Sequence, residues 1–194
     1  MGSNVLLNRR FVVASALAAS ILPRVAMADV YHKYVYDALG RVGGVLYPNG
    51  TSIFYTYDSA GNRTSKRSGT GITDSGFDPD FYRIYYTDIY SANIDPYVHF
   101  QNGGWSERRR ASAYFDTNWY LNTYPDIAAA NINPLDHYSS SGWREGRNPS
   151  PYFNTTLYLQ NYPDIAAANI NPYLHFIRYG IYEGRSSFGS PLAF

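Results

Sequence analysis

A 38-residue period beginning at Phe77 constrains this chain more than any other feature. Phe77, Phe115 and Phe153 open three copies. Asp88, Asp126 and Asp164 recur at the same spacing, as do Pro96, Pro134 and Pro172; His99, His137 and His175; Gly104, Gly142 and Gly180; and Glu107, Glu145 and Glu183. Self-similarity of this kind marks a repeat architecture, in which each copy is one supersecondary unit that buries its apolar face only against a neighbour. Each copy reads as three short helices. Asp78, Asp116 and Asn154 stand as N-caps ahead of an aromatic-rich turn. Pro125 and Pro163, each followed by an acid, an isoleucine and three alanines, open a second helix, because proline is tolerated at the first helical position and an acid there suits the dipole. Asn133-Pro134 and Asn171-Pro172 repeat the cap and proline for a third helix, which Gly142 and Gly180 are expected to close as C-cap glycines. The expected assembly is a stack of three helical modules over 77–186 with an elongated surface, and residues 187–194 form a tail.

A shorter pattern precedes the array. Tyr34, Tyr36, Asp37, Gly40 and Arg41 return as Tyr55, Tyr57, Asp58, Gly61 and Asn62. Alternating tyrosines suit a strand with its rings on one face, and an aspartate three residues before a glycine is turn chemistry. Tyr47-Pro48-Asn49-Gly50-Thr51 adds a hairpin-type loop between the copies. The fold class expected is therefore α+β: a short β-hairpin region at 29–67, a Ser/Gly/Thr-rich linker at 68–76, and the three-repeat α-helical array.

The residues of the first pattern, Tyr36-Asp37 with Gly40 and Tyr57-Asp58 with Gly61, resemble the RHS or YD repeat over about residues 31–67. In that family many such repeats wind into a large β shell that encloses cargo, or present surfaces that contact carbohydrate and cell-surface partners. Two copies are too few to close a shell. The array at 77–186 resembles tandem segments that accompany bacterial secreted calcium-binding-type proteins and some cell-envelope glycosyltransferases. Copy one departs from that pattern, with Thr87 in place of Pro125 and Pro163, and Arg108 in place of Gly146 and Gly184.

Residues 1–28 read as a removable signal peptide. Arg9 and Arg10 precede a 12-residue apolar run, and Ala26-Met27-Ala28 supplies the small residues a signal peptidase reads. A bilayer-spanning helix needs about 20 residues, so this run is no anchor. The paired arginines resemble the twin-arginine export signal. The chain is thus expected in the periplasm of a bacterium or secreted from it, with no membrane span after cleavage.

Composition narrows the function. Cysteine is absent, which removes disulfides, thiolate metal sites and a cysteine nucleophile. The 16 basic residues are scattered against 15 acids, so no nucleic-acid-binding stripe forms. No Gly-x-Ser-x-Gly elbow, phosphate-binding loop or zinc-protease motif is present, and the reading is of a protein that is not an enzyme and calls for no cofactor or metal. His99, His137 and His175, eight residues before Glu107, Glu145 and Glu183, invite a metal or proton-transfer role. Their spacing is wrong for ligands and their recurrence points to repeat structure instead. Tyr36, Asp37, Gly40, Tyr57, Asp58 and Gly61 are structural in the same sense. Glu145 with Arg147, and Glu183 with Arg185, are expected to tie one repeat to the next.

The surplus is aromatic: 21 tyrosines, ten phenylalanines and three tryptophans. Trp105, Trp119, Tyr120, Trp143 and Tyr158 are the candidate ligand-binding residues, suited to stacking on sugar rings, with Trp105 and Trp143 expected to be partly exposed. The function expected is an exported, non-catalytic binding or scaffolding protein that engages cell-envelope or extracellular polysaccharide, or an envelope protein. The alternatives are an accessory or remnant of an RHS-type toxin system and a self-associating structural protein.

Overall fold

The computed structural model describes residues 32–68 and 71–192, and the expected signal peptide lies outside the described residues. Four strands, β1 (Lys33–Tyr36), β2 (Val42–Leu46), β3 (Ser52–Tyr57) and β4 (Arg63–Ser68), pair antiparallel in chain order. Their turns are set locally. The Asp37 carboxylate accepts from the N–H groups of Leu39 and Arg41, while Gly40 donates to the Asp37 carbonyl from the left-handed φ of +74° that only glycine adopts at little cost. Asp58 and Gly61 repeat the device, and Asn49 and Gly50 make the middle turn. The register slips once in each outer pair, at Val35/Tyr36 and at Thr56/Tyr57, the same place in both copies of the pattern.

Helices follow in three sets: α1 (Pro79–Tyr85), α2 (Thr87–Ser91) and α3 (Pro96–His99); α4 (Thr117–Thr123), α5 (Pro125–Ala130) and α6 (Pro134–His137); α7 (Thr155–Asn161), α8 (Pro163–Ala168) and α9 (Pro172–His175). The chain adopts the α+β class that its patterns imply. Asp78, Asp116 and Asn154 cap the first helix of each set with their side chains, and Asp95, Asn133 and Asn171 cap the third. Each third helix widens into a π-helical turn, at Phe100–Gly104, Tyr138–Gly142 and Phe176–Gly180.

Those turns correct the role expected of Gly142 and Gly180. Neither has a positive φ; that conformation falls later, on Gly146 (+73°), Gly184 (+71°) and, in the first copy, Arg108 (+60°). Gly142 is required by proximity instead. A Cβ there would lie 2.6 Å from the Tyr120 hydroxyl, and one on Gly180 would lie 2.7 Å from that of Tyr158.

Each copy closes on itself. Asp78 N–H donates to the Ala111 carbonyl at 3.0 Å, Asp116 to Pro149 at 3.2 Å and Asn154 to Ser187 at 2.9 Å. The modules accordingly run 77–114, 115–152 and 153–190. Residues 187–190, expected as tail, complete the third, where Phe188 bridges to Phe153, and Ser190 ties it to module 2 by donating to the Pro151 carbonyl.

The array is also not the elongated stack expected. Fully buried Tyr173 in module 3 bonds the Gly76 carbonyl at 2.6 Å and the Ser112 hydroxyl at 2.8 Å, while its ring packs edge-on against Phe115 and Tyr138 of module 2. Arg178 of the same module donates to the Ile72 carbonyl and to Asp74. Module 3 therefore returns to the segment that precedes module 1, and residues 71–76 act as a packed seam rather than a free linker. Val35, Leu46 and Phe54 on the inner face of the sheet join one core with Phe81 and Ile84 of α1. Lys33 reaches across to the Tyr85 carbonyl at 2.7 Å.

Candidate functional site

Two sets of residues compete for a functional role: the polar groups repeated in every module, and the aromatic groups that reach the surface. The polar groups form one network three times over. The Tyr82, Tyr120 and Tyr158 hydroxyls lie 3.0, 3.0 and 2.9 Å from Nδ1 of His99, His137 and His175. His137 Nε2 faces Glu145 at 3.8 Å. Burial lowers the pKa of His137 and His175.

Beside each histidine an arginine gathers two acids. Arg147 holds Asp126 through both terminal nitrogens at 3.0 and 2.8 Å, bonds Glu145 through Nε, and stands 4.9 Å over the Tyr124 ring. Arg185 does the same with Asp164, Glu183 and Tyr162, and Arg109 bonds Asp88 through Nη1 and Glu107 through Nε while standing over Tyr86. These pairs correct the expectation that Glu145–Arg147 and Glu183–Arg185 join neighbouring repeats, since every partner lies in the same module. The ion pair latches each module's closing loop onto the start of its second helix. The hydrogen bond from Arg147 is the largest cause of the lowered Asp126 pKa, and that from Arg185 does the same for Asp164. Among the described residues no group of three or more His, Asp or Glu side chains is placed to hold a metal ion.

The aromatic residues named from sequence separate. Tyr120 and Tyr158 are fully buried, each hydrogen-bonded to a histidine, and their rings are not available to a ligand. Trp143, expected to be partly exposed, retains 6% of its surface, with the Arg144 guanidinium 4.2 Å over its ring. Trp105 and Trp119 are half-buried. Trp105 shares a groove of about 140 Å³ with Leu121 and Ile127 of the next module, so its ring serves the junction between modules 1 and 2. Trp119 packs edge-on against Tyr124.

The accessible rings are elsewhere, Tyr179 and Tyr182 in module 3 and Tyr34 and Tyr36 on the sheet among them. Tyr34 and Tyr36, two apart on β1 and thus on one face, are 47% and 55% exposed, their centroids 6.5 Å apart. Beside them opens a cleft of about 520 Å³ between the sheet and α1–α2, walled by Tyr36, Phe54, Tyr55, Arg83, Tyr90 and Asn93. Phe54 and Tyr90 stack across its base at 6.4 Å. Asp37 lines it too, its carboxylate engaged by Arg41 at 2.7 Å. Cations stand on neighbouring rings, Arg41 over Tyr57 at 4.3 Å and Arg63 over Tyr55 at 5.1 Å. None of these cleft residues follows from aromatic surplus alone; the signal that marks them is that Arg83 and Tyr90 break the pattern of the later copies.

Comparison with known proteins bears on the sheet. Residues 36–73 match the RHS Repeat family, a span that runs from the first Tyr-Asp turn through the second copy and into the seam. No curated protein and no solved structure matches the chain. The sheet is thus an RHS-repeat segment, joined here to a closed helical array. No helix of the described residues is long and apolar enough to cross a membrane.

Proposed function

We propose that the chain is an exported, non-catalytic binding protein in which the helical array is the support and the RHS segment carries the surface that engages cell-envelope or extracellular polysaccharide. The observation behind this reading is the aromatic-walled cleft that half-exposed Tyr36 lines, with the exposed Tyr34 ring next to Tyr36 on the same strand. Flat rings with a polar edge suit the apolar faces of sugar rings, and clefts between packed units are favoured binding places. The non-catalytic part draws support from the polar network: its imidazoles and carboxylates are spent, three times over, on closing modules. Export rests on the twin-arginine-like leader and on the RHS segment.

A glycan array probed with the full chain, in calcium and in chelator, tests the reading, with Tyr36→Ala as the control. Saturable binding that the substitution weakens at least tenfold, without lowering the melting temperature, supports it. A blank array in both buffers overturns it. Self-association is the second reading, because among the described residues no further strand pairs with the β1 and β4 edges of the sheet; a sedimentation profile that shifts with concentration would favour it.

A further inference from the structure

Module 1 departs from its successors at the positions that face the cleft. Arg83 stands where modules 2 and 3 carry Leu121 and Leu159, and Tyr90 where they carry Ala128 and Ala166. In module 2 this surface is the floor of a junction, where Leu121, Ile127, Ala128 and Asn131 meet Trp105 of the preceding module. The corresponding surface of module 1 meets the sheet, and Arg83, Tyr90 and Asn93 look across the cleft at Tyr36 and Tyr55. A first repeat gains solubility from polar residues on its outer face, which accounts for leucine giving way to arginine. Alanine giving way to tyrosine runs the other way, because it adds aromatic surface. The sheet is fitted to that ring: a Cβ on Gly43 would collide with the Tyr90 hydroxyl.

Arg83 is half-buried, and among the described residues it makes no ion pair or hydrogen bond. Every arginine of the three latches, by contrast, holds two carboxylates. Asp37, the acid on the cleft wall, is taken by Arg41 and by two backbone N–H groups. Over the strands and their turns Lys33, Arg41, Arg63, Lys66 and Arg67 outnumber Asp37 and Asp58, so the strand region is basic. A planar guanidinium without a protein carboxylate, set among tyrosines, is complementary to a ligand that brings a carboxylate on a ring.

Building on the proposed function, we infer that this cleft is selective for acidic sugar, a uronate unit of a polysaccharide whose carboxylate is held by Arg83 while its ring lies against Tyr36 and Tyr90. Asn93 and Ser91 line the same wall and supply donors and acceptors for ring hydroxyls. Selectivity comes from the charge, and the tyrosines supply affinity shared by neutral sugars.

Calorimetric titration of the full chain with a hexuronic-acid oligosaccharide, and with the same oligosaccharide after reduction of its carboxyls to alcohols, tests this. The acidic form should bind about tenfold or more tightly, the worth of one charge-assisted pair. Arg83→Leu and Tyr90→Ala install residues the later modules already carry; the first should abolish the preference and the second should weaken both forms. Arg83→Gln serves if the leucine variant unfolds. Equal binding of the two forms, or a preference that survives loss of Arg83, overturns the inference. Binding of some other glycan that depends on Tyr36 and ignores Arg83 would leave the proposed function standing and this inference refuted; no glycan binding at all would refute both.

Discussion

Adding one methyl group at Gly142 tests whether this glycine is required by packing or by backbone conformation. On propensity alone Gly142→Ala should stabilise the chain, by about 1 kcal/mol, because alanine loses less backbone freedom in a helical turn. The structure opposes this, since the new Cβ would fall 2.6 Å from the Tyr120 hydroxyl and 3.2 Å from His137 Nδ1, between the partners of a hydrogen bond. Tyr120 is fully buried and its ring has nowhere to swing. Overpacking costs about 1–3 kcal/mol, and the broken bond with its unpaired imidazole adds about 1–2 kcal/mol. The expected net effect is a loss of about 1–4 kcal/mol. Tyr120→Phe alone removes the hydroxyl and should cost about 1–2 kcal/mol. Both changes together should cost no more than Tyr120→Phe alone, because the phenylalanine leaves room for the methyl. Urea unfolding followed by tryptophan fluorescence measures each variant, comparing midpoints at constant slope. A neutral or stabilising Gly142→Ala, or a double variant whose loss is the sum of the singles, would refute the packing argument.

Burial lowers the pKa of His137 and His175 in the folded protein, so the unfolded chain takes up protons first; the stability of the neutral imidazoles is full above the ordinary value of 6.5 and is lost as pH falls below it. Melting temperature should therefore drop between about pH 7.5 and about pH 5, and replacing both histidines with asparagine should flatten that part of the profile, as scanning calorimetry will show. Tyr173→Phe leaves the Gly76 carbonyl and the Ser112 hydroxyl without their buried partner, at a cost of about 1–3 kcal/mol. Hydrogen exchange should find the amides of Gly76 and Phe77 exposed ahead of those in α4 if the seam opens first.

What lay in the sequence was local. The 38-residue period, the Asp and Asn caps, the prolines that open second and third helices, and the Asp–Gly turns of the strands each depend on atoms a few residues apart, and each stands in the structure as its spacing implies. The histidine and glutamate of each copy read as structural because every copy keeps them. Tertiary structure decided the rest, because burial and closure depend on residues far apart in the chain. Nothing near Trp143 says that it will be buried while Tyr36 stays half-exposed on a sheet face. Arg147 finds Asp126 across 21 residues, and Tyr173 finds Gly76 across 97, which turns an expected open stack into a closed array. The glycines of the π-helical turns could be read from sequence as caps, and only the position of a tyrosine hydroxyl reveals that they are spacers. The cleft belongs to both levels. Arg83 and Tyr90 are visible as breaks in a repeat, but their meeting with Tyr36 depends on how the sheet packs on the first module, which no local rule contains.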